Sequence, residues 1–234
     1  MKYKRILIKL SGEALLNNKE ESVICAEQLA HAVKEIKSVV DLGLELIIVL
    51  GGGNILRGST SKLKLVRYKA DNMGMLATVI NAVALEDALT QQGISTKLLS
   101  AIEINKVCEF YNADIANKYL SEKKVIICAG GINNPYFSTD TCAVIRALEL
   151  NAELIFKGTQ VDGVYNKDPK QFSDATRFNE ISYSDVLSKK LKILDATAIC
   201  LAESHKLPIV VFNIHKSGNL KNLLQGNENI SIIK

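Results

Sequence analysis

The chain has 234 residues, of which 47% are hydrophobic and 23% charged, and a formal net charge of +4. That length buries a core sufficient for one large or two small domains, and that balance excludes a disordered chain. No Lys/Arg block stands out, so the mild positive charge calls for no nucleic-acid partner and suits a small anion equally well.

The N-terminus runs almost at once into Arg5-Ile6-Leu7-Ile8-Lys9-Leu10. This short apolar run reads as a strand over 5–10, with no secretory h-region or cleavage site before it. Leu29, Val33, Ile36 and Val40 then recur at helical spacing, and Gly43 is placed to end that helix. Further strands read at 45–50, 96–100, 124–128, 153–157 and 209–213, with a short last one at 230–233. Further helices read at 73–92, 140–150 and 194–206. The polar stretch 159–180 reads as a long loop or small hairpin insertion, a kind of segment that is often functional. Continuous apolar strands separated by helices predict an α/β fold with a largely parallel sheet covered on both faces. Such sheets bind ligands at the carboxyl ends of their strands.

No repeat, low-complexity tract or linker divides the chain, so a single domain over 1–234 is expected. No apolar stretch approaches the length that spans a bilayer, and no membrane partner is expected. Cys25, Cys108, Cys128, Cys142 and Cys200 are scattered, odd in number and never form C-x-x-C. They predict neither a disulfide framework nor a zinc site, and a reducing, cytoplasmic setting. His31, His205 and His215 each read as structural.

Three glycine-bearing turns follow predicted strands. They are Lys9-Leu10-Ser11-Gly12-Glu13, Gly51-Gly52-Gly53-Asn54, and Gly130-Gly131-Ile132-Asn133-Asn134-Pro135. Glycine lets the backbone approach an anion closely and point successive amides at it. If the strands are neighbours, all three turns open on one sheet edge, with Lys9 in the first. There is no G-x-x-x-x-G-K-[ST] run, which excludes a P-loop kinase, and Gly51-x-Gly53-x-x-Leu56 lacks the third glycine of a dinucleotide fingerprint.

Several segments carry a family resemblance: Lys9 to Leu15, Gly51-Gly52-Gly53-Asn54 with Arg57-Gly58, and Asp71-Asn72-Met73-Gly74-Met75-Leu76-Ala77-Thr78. They are joined by Asn134-Pro135-Tyr136-Phe137-Ser138-Thr139-Asp140, Val161 to Tyr165 with Asp168-Pro169, and His205-Lys206-Leu207-Pro208. In order, over nearly the whole chain, these resemble bacterial UMP kinases of the amino acid kinase family. The resemblance implies a three-layer αβα sandwich with a mostly parallel sheet, the carbamate kinase-like fold. It also implies transfer of the γ-phosphoryl group of MgATP to UMP in pyrimidine nucleotide supply, a homohexamer, and UTP as an inhibitor.

By the same resemblance Lys9 and Lys157 neutralise the transferring group, Asp140 orients both lysines, and amides of Gly12, Gly52 and Gly53 hold phosphate oxygens. The ATP contacts fall on Lys9, Leu10, Ser11, Gly12, Gly53, Arg57, Thr159, Tyr165 and Asp168. The UMP contacts fall on Gly52, Asp71, Ile132, Asn133, Asn134, Pro135, Tyr136, Phe137, Ser138 and Thr139. No protein metal ligands are implied; Mg2+ arrives with ATP.

Residue chemistry agrees, because phosphoryl transfer needs positioning and charge neutralisation more than covalent help. A UMP phosphate is already an oxyanion, so no general base is called for. Structural alternatives stand beside these roles. Lys9, within an apolar run, calls for a partner. Lys157 reads equally as a solvated strand end, Asp140 and Asp71 as helix N-caps, and Tyr136-Phe137 as core packing or base stacking. Arg57 can clamp a phosphate bidentately, beside the acceptor side.

The chain also departs from the family pattern. Leu16 to Ser22 contains no glycine where many relatives carry a glycine-rich segment linked to GTP activation, and Glu86 and Thr90 stand where activated relatives place basic residues. GTP activation is therefore not carried over. One extra residue at 131–133 shifts the spacing before Asn134. A non-catalytic nucleotide binder, and a kinase acting on a carboxylate or carbamate, remain the alternatives on this scaffold.

Overall fold

The computed structural model describes residues 3–16, 22–56, 65–227 and 231–234. Arg57, Gly58 and the 17–21 stretch lie outside the described residues. In chain order the strands and helices are β1 (Arg5–Leu10), α1 (Ala26–Val40), β2 (Glu45–Leu50), α2 (Arg67–Gln91), β3 (Thr96–Ser100), β4 (Glu109–Phe110), α3 (Ala113–Ser121) and β5 (Val125–Ala129). They continue as α4 (Thr139–Glu149), β6 (Ile155–Thr159), β7 (Val164–Tyr165), β8 (Arg177–Phe178), β9 (Glu180–Ile181), α5 (Tyr183–Ser188), α6 (Ala196–Ser204), β10 (Ile209–Asn213), α7 (Asn219–Leu224) and β11 (Ser231–Ile233).

Nine strands form one sheet in the order β4-β3-β5-β2-β1-β6-β10-β11-β9, parallel throughout except where β11 runs against β10. Because side chains alternate along a strand, each central strand feeds two cores. Ile6, Ile8 and Leu10 pack with Val33 and Ile36 of α1 and with Ala82, Leu85 and Leu89 of α2. Leu7, Ile47 and Ile155 face the other way and pack with Ala116 of α3, Ala143 and Ala147 of α4, and Ala198 of α6. The result is the expected three-layer sandwich.

The expected and observed boundaries differ where function is concerned. The sixth strand lies two residues later than the apolar run implied, so Lys157 occupies its middle and is buried rather than a solvated strand end. Helix α2 begins at Arg67, six residues earlier than its pattern, which puts Asp71 inside the helix instead of at its N-cap. Ser138, not Asp140, caps α4. The polar insertion does contain a small hairpin, β7 against β8. The short elements α3, α5, α7, β4 and β9 carry too few apolar residues for periodicity to reveal them.

By length and composition α2 is apolar enough to cross a bilayer, against the expectation that no segment is. The reason is that it is apolar on two sides. Its inner side covers the sheet and holds Thr78 and Asn81, both buried; its outer side exposes Met73, Leu76, Ile80 and Val83. The Asn81 amide donates to the Gly51 carbonyl at 2.8 Å and to Asn54 Oδ1 at 2.7 Å. Asn54 in turn donates to Asn81 Oδ1 at 2.9 Å. The Asn81→Ala substitution leaves those buried groups unpaired and should lower unfolding free energy by about 2 kcal/mol. Urea denaturation midpoints unchanged from the parent chain would contradict this.

Candidate active site

The strands β1, β2 and β5 are neighbours, so the three glycine turns that follow them share one edge of the sheet. The first two turns touch. A Cβ on Gly12 would sit 2.3 Å from Asn54 Oδ1, 2.8 Å from the Gly53 nitrogen and 2.9 Å from the Gly51 carbonyl. Any larger residue at position 12 would force the two loops apart. The third turn is gripped by α2, whose Thr78 hydroxyl accepts from the Gly130 amide at 2.8 Å.

Lys9 and Lys157 are register partners on the adjacent parallel strands β1 and β6. Each occupies the sheet face that Leu7 and Ile155 occupy two residues earlier, so two ammonium groups enter an otherwise apolar layer side by side. Asp140, in the first turn of α4, separates them. Its Oδ1 lies 2.7 Å from Lys9 Nζ and its Oδ2 lies 2.6 Å from Lys157 Nζ. Lys157 donates further to the Ile193 carbonyl. Lys9 is 7% exposed and Lys157 8%. An ammonium has three donors, so this arrangement leaves hydrogens on both amines for an incoming anion.

Burial pushes the Asp140 carboxyl upward, but the two ammonium groups and their hydrogen bonds outweigh it and hold the group below its ordinary 3.8. For Lys157, burial and then the charge of Lys9 lower the amine below its ordinary 10.5, against the pull of Asp140.

The N-terminus of α4 is fastened to deliver Asp140. Ser138 Oγ accepts from the amides of Asp140 at 2.9 Å and Thr141 at 3.3 Å, while donating to Asp195. Thr141 Oγ1 also donates to Asp195, at 2.9 Å. Asp195 then caps α6 by accepting from the Ala198 amide at 2.9 Å. One carboxylate thus ties two helix starts together beside the lysine pair. Sequence reasoning passed over Asp195, although an Asp directly before a helical pattern is an N-cap signal that could have found it.

Two cavities flank this centre. One, of about 600 Å3, is lined by Lys9, Ser11, Glu13, Ala14, Lys157, Gly158, Thr159, Gln160, Val161, Asp168, Lys170, Lys192, Ile214 and His215. Of the expected ATP contacts, Lys9, Ser11, Thr159 and Asp168 are here. Leu10, Gly12 and Tyr165 are not in this lining: Leu10 is fully buried in the core, Gly12 is buried, and the Tyr165 hydroxyl donates to Asp162 Oδ1 at 2.6 Å. Sequence reasoning missed Lys170 and Lys192, which stand in no motif. It took His215 as structural, yet that residue joins the wall.

The other cavity, of about 440 Å3, is lined by Gly52, Gly53, Leu56, Arg67, Ala70, Asp71, Gly74, Met75, Thr78, Gly131, Tyr136, Phe137, Ser138, Thr139, Asp195 and Thr197. Gly53, expected among the ATP contacts, therefore lies on this second side. Of the expected UMP contacts, Gly52, Asp71, Tyr136, Phe137, Ser138 and Thr139 are brought together here. Ile132, Asn133, Asn134 and Pro135 are not in the lining; Ile132 packs on the core instead. Tyr136 and Phe137 are exposed, which removes the core-packing alternative for both. Asp71 accepts from Arg67 Nε and from the Tyr136 amide, each at 2.9 Å, so it ties α2 to the 130–138 loop.

Since the Asp140 carboxyl sits below 3.8 in the fold, its contribution to stability is complete above that pH and is lost as pH falls through the lowered value. The Asp140→Asn variant should lose that acid limb and should be destabilised at pH 7 by about 3 kcal/mol, because two buried amines lose their anion. Stability followed from neutral pH down into the acid range below the ordinary carboxylate value checks both; a variant with the parent's acid limb would contradict the assignment.

Comparison with known proteins agrees with this architecture. A family model described as the amino acid kinase family matches residues 4–213. Uridylate kinase of Ehrlichia canis (strain Jake) is 46% identical over 230 residues, covering 97% of this chain and 93% of the relative. Uridylate kinase of Ehrlichia ruminantium (strain Welgevonden) is 44% identical over the same shares of both chains. The crystal structure of UMP kinase from Bacillus anthracis superposes with a TM-score of 0.95 at 37% identity, covering 99% of this chain and 96% of that one. That of UMP kinase from Ureaplasma parvum superposes with a TM-score of 0.94 at 38% identity, covering all of both chains. With this extent of match, on a sheet whose central strands carry the lysine pair, the chain belongs to the amino acid kinase family, among its uridylate kinases.

Proposed function

We propose that the protein is a UMP kinase that moves the γ-phosphoryl group of ATP onto the 5′-phosphate of UMP, giving ADP and UDP. The observation that carries this reading is the Lys9–Asp140–Lys157 bridge between two cavities. Lys9 and Lys157 line the larger one, and Ser138 and Thr139, which lead into Asp140, line the smaller.

ATP occupies the larger cavity, with its polyphosphate toward Lys9, Lys157, Lys170 and Lys192. UMP occupies the smaller, with its phosphate toward the Gly52-Gly53 turn and its base toward the 131–138 loop. The two lysines face the phosphoryl group in passage and offset the charge on its equatorial oxygens, a preorganised stabilisation worth several kcal/mol of barrier. Asp140 does not touch the substrate; it keeps both amines charged and aimed. The UMP phosphate attacks as an oxyanion, so no proton need be removed. Mg2+ would enter on the ATP phosphates and spread their charge. Among the described residues no three His, Cys, Asp or Glu side chains gather to hold a metal, and Asp140 is committed to the lysines, so phosphate oxygens and water are the ligands that fit this hard ion. The acceptor part then spans roughly 1–150 and the donor part 151–234, with Lys9 and Ser11 lent to the donor side and Asp195 and Thr197 to the acceptor side.

UTP, sharing the uridine of the product, would compete at the acceptor cavity. The exposed Met73, Leu76, Ile80 and Val83, at helical spacing on the outer side of α2, supply an apolar stripe suited to self-association, the first step to a hexamer. A cytoplasmic setting accords with the three buried thiols Cys25, Cys128 and Cys142 and the absence of any disulfide among the described residues.

A coupled assay of ADP formation with UMP, CMP, carbamate and acidic amino acids as acceptors tests the reading. UMP should dominate, and Lys9→Ala should lower kcat roughly a thousandfold or more; ATP binding without turnover on any acceptor would overturn it. In sedimentation velocity, Ile80→Glu should shift the particle to smaller species, and an unchanged profile would remove α2 as the contact.

A further inference from the structure

The loop that closes the acceptor cavity is conformationally expensive. Gly130, Gly131, Asn133 and Tyr136 all have φ between +56° and +74°, the left-handed region that favours glycine, and two of the four are not glycine. A loop bent this way keeps one shape only when its surroundings over-determine it. Two of its fastenings come from α2: Thr78 accepts from the Gly130 amide, and Asp71 accepts from the Tyr136 amide.

A third fastening comes from the opposite layer and is made by a buried arginine. Arg146 lies on α4, in the turn after the one that follows Asp140, and is 6% exposed. Its Nη2 donates to the Gly131 carbonyl at 3.3 Å, and its Nη1 donates to Glu149 Oε2 at 2.6 Å. Its guanidinium stacks 3.6 Å from the Tyr111 ring centroid, and the Tyr111 hydroxyl donates to the same Glu149 oxygen at 2.7 Å. The guanidinium is therefore clamped on its face by an aromatic ring and on its edge by a carboxylate, with its remaining fork turned to the loop. Burying an arginine is costly unless its charge is paired, and here one counter-charge and one backbone carbonyl share it. Gly131 itself lines the acceptor cavity.

We infer that Arg146, braced by Tyr111 and Glu149, is a positioning residue that sets the shape of the acceptor loop and hence the affinity for the nucleoside monophosphate. It touches no substrate. Its effect passes through the Gly131 carbonyl, and because α4 also carries Asp140, the same helix aligns the acceptor loop with the lysine pair. The inference rests on assigning the smaller cavity to UMP.

The test is steady-state kinetics on the full chain with ATP and UMP. Arg146→Lys keeps the charge and the approach to Glu149 but cannot reach Gly131 and Glu149 together in a planar fork. It should raise the KM for UMP roughly tenfold, the weight of one charge-assisted hydrogen bond, while the KM for ATP stays within twofold. Glu149→Gln, which keeps its shape on a half-exposed site, should raise the same constant by a smaller factor and serves in its place if Arg146→Lys does not fold. A parallel rise in both KM values, or no rise in that for UMP, would overturn the inference. Failure of the unaltered chain to phosphorylate UMP would instead overturn the reading of the cavity.

Discussion

Two ammonium groups one strand apart inside a sheet repel each other and cannot stay charged there without an anion between them. Asp140 is that anion, and the rest of the site follows from the need to keep it in place. Ser138 starts α4 at the correct residue, Asp195 binds Ser138 and Thr141, and α6 begins on the same carboxylate. The ion triad is poor as a source of stability, since the cost of desolvating three charges rivals what their attraction returns. A buried charge cluster in the middle of a well-packed layer is therefore accounted for better by the proposed chemistry than by stability.

The second constraint is geometric. Glycine turns can present amides to phosphate only if something holds them open, and α2 does so from above with Thr78 on the third turn and Asn81 on the second. The same helix turns its apolar outer side away from the protein. A contact made there would bear on the same rigid element that holds the glycine turns.

Much of this was legible in the amino-acid sequence. The strand runs Ile6-Leu7-Ile8 and Leu46-Ile47-Ile48-Val49 are apolar on both faces, and that alone distinguishes a covered parallel sheet from an exposed antiparallel one. Lys9 stood out because it interrupts such a run. Lys157 did not, since the apolar run before it ended early and the strand continues through Gly158, a residue depleted in strands, before Thr159 closes it. The same reason hid Asp195, Arg146 and Asn81. Each matters through a partner more than fifteen residues away or on another element, and local pattern carries no record of that. Family motifs singled out the 130–138 loop, but its spacing did not disclose that Ile132 turns inward while Gly131 faces the cavity.

The order of strands has a consequence for how the chain is made. β1 lies between β2 and β6, and β6 is completed only at residue 159. As the chain leaves the ribosome, β2 can dock on one side of β1 long before any neighbour exists for the other. For most of synthesis the open side of β1 is a free edge, the kind of surface that recruits stray strands. A charged side chain on an inward position is among the devices that discourage such pairing. Lys9 occupies that position, so a charge that Asp140 balances in the finished fold also guards the nascent sheet until its rightful neighbour arrives.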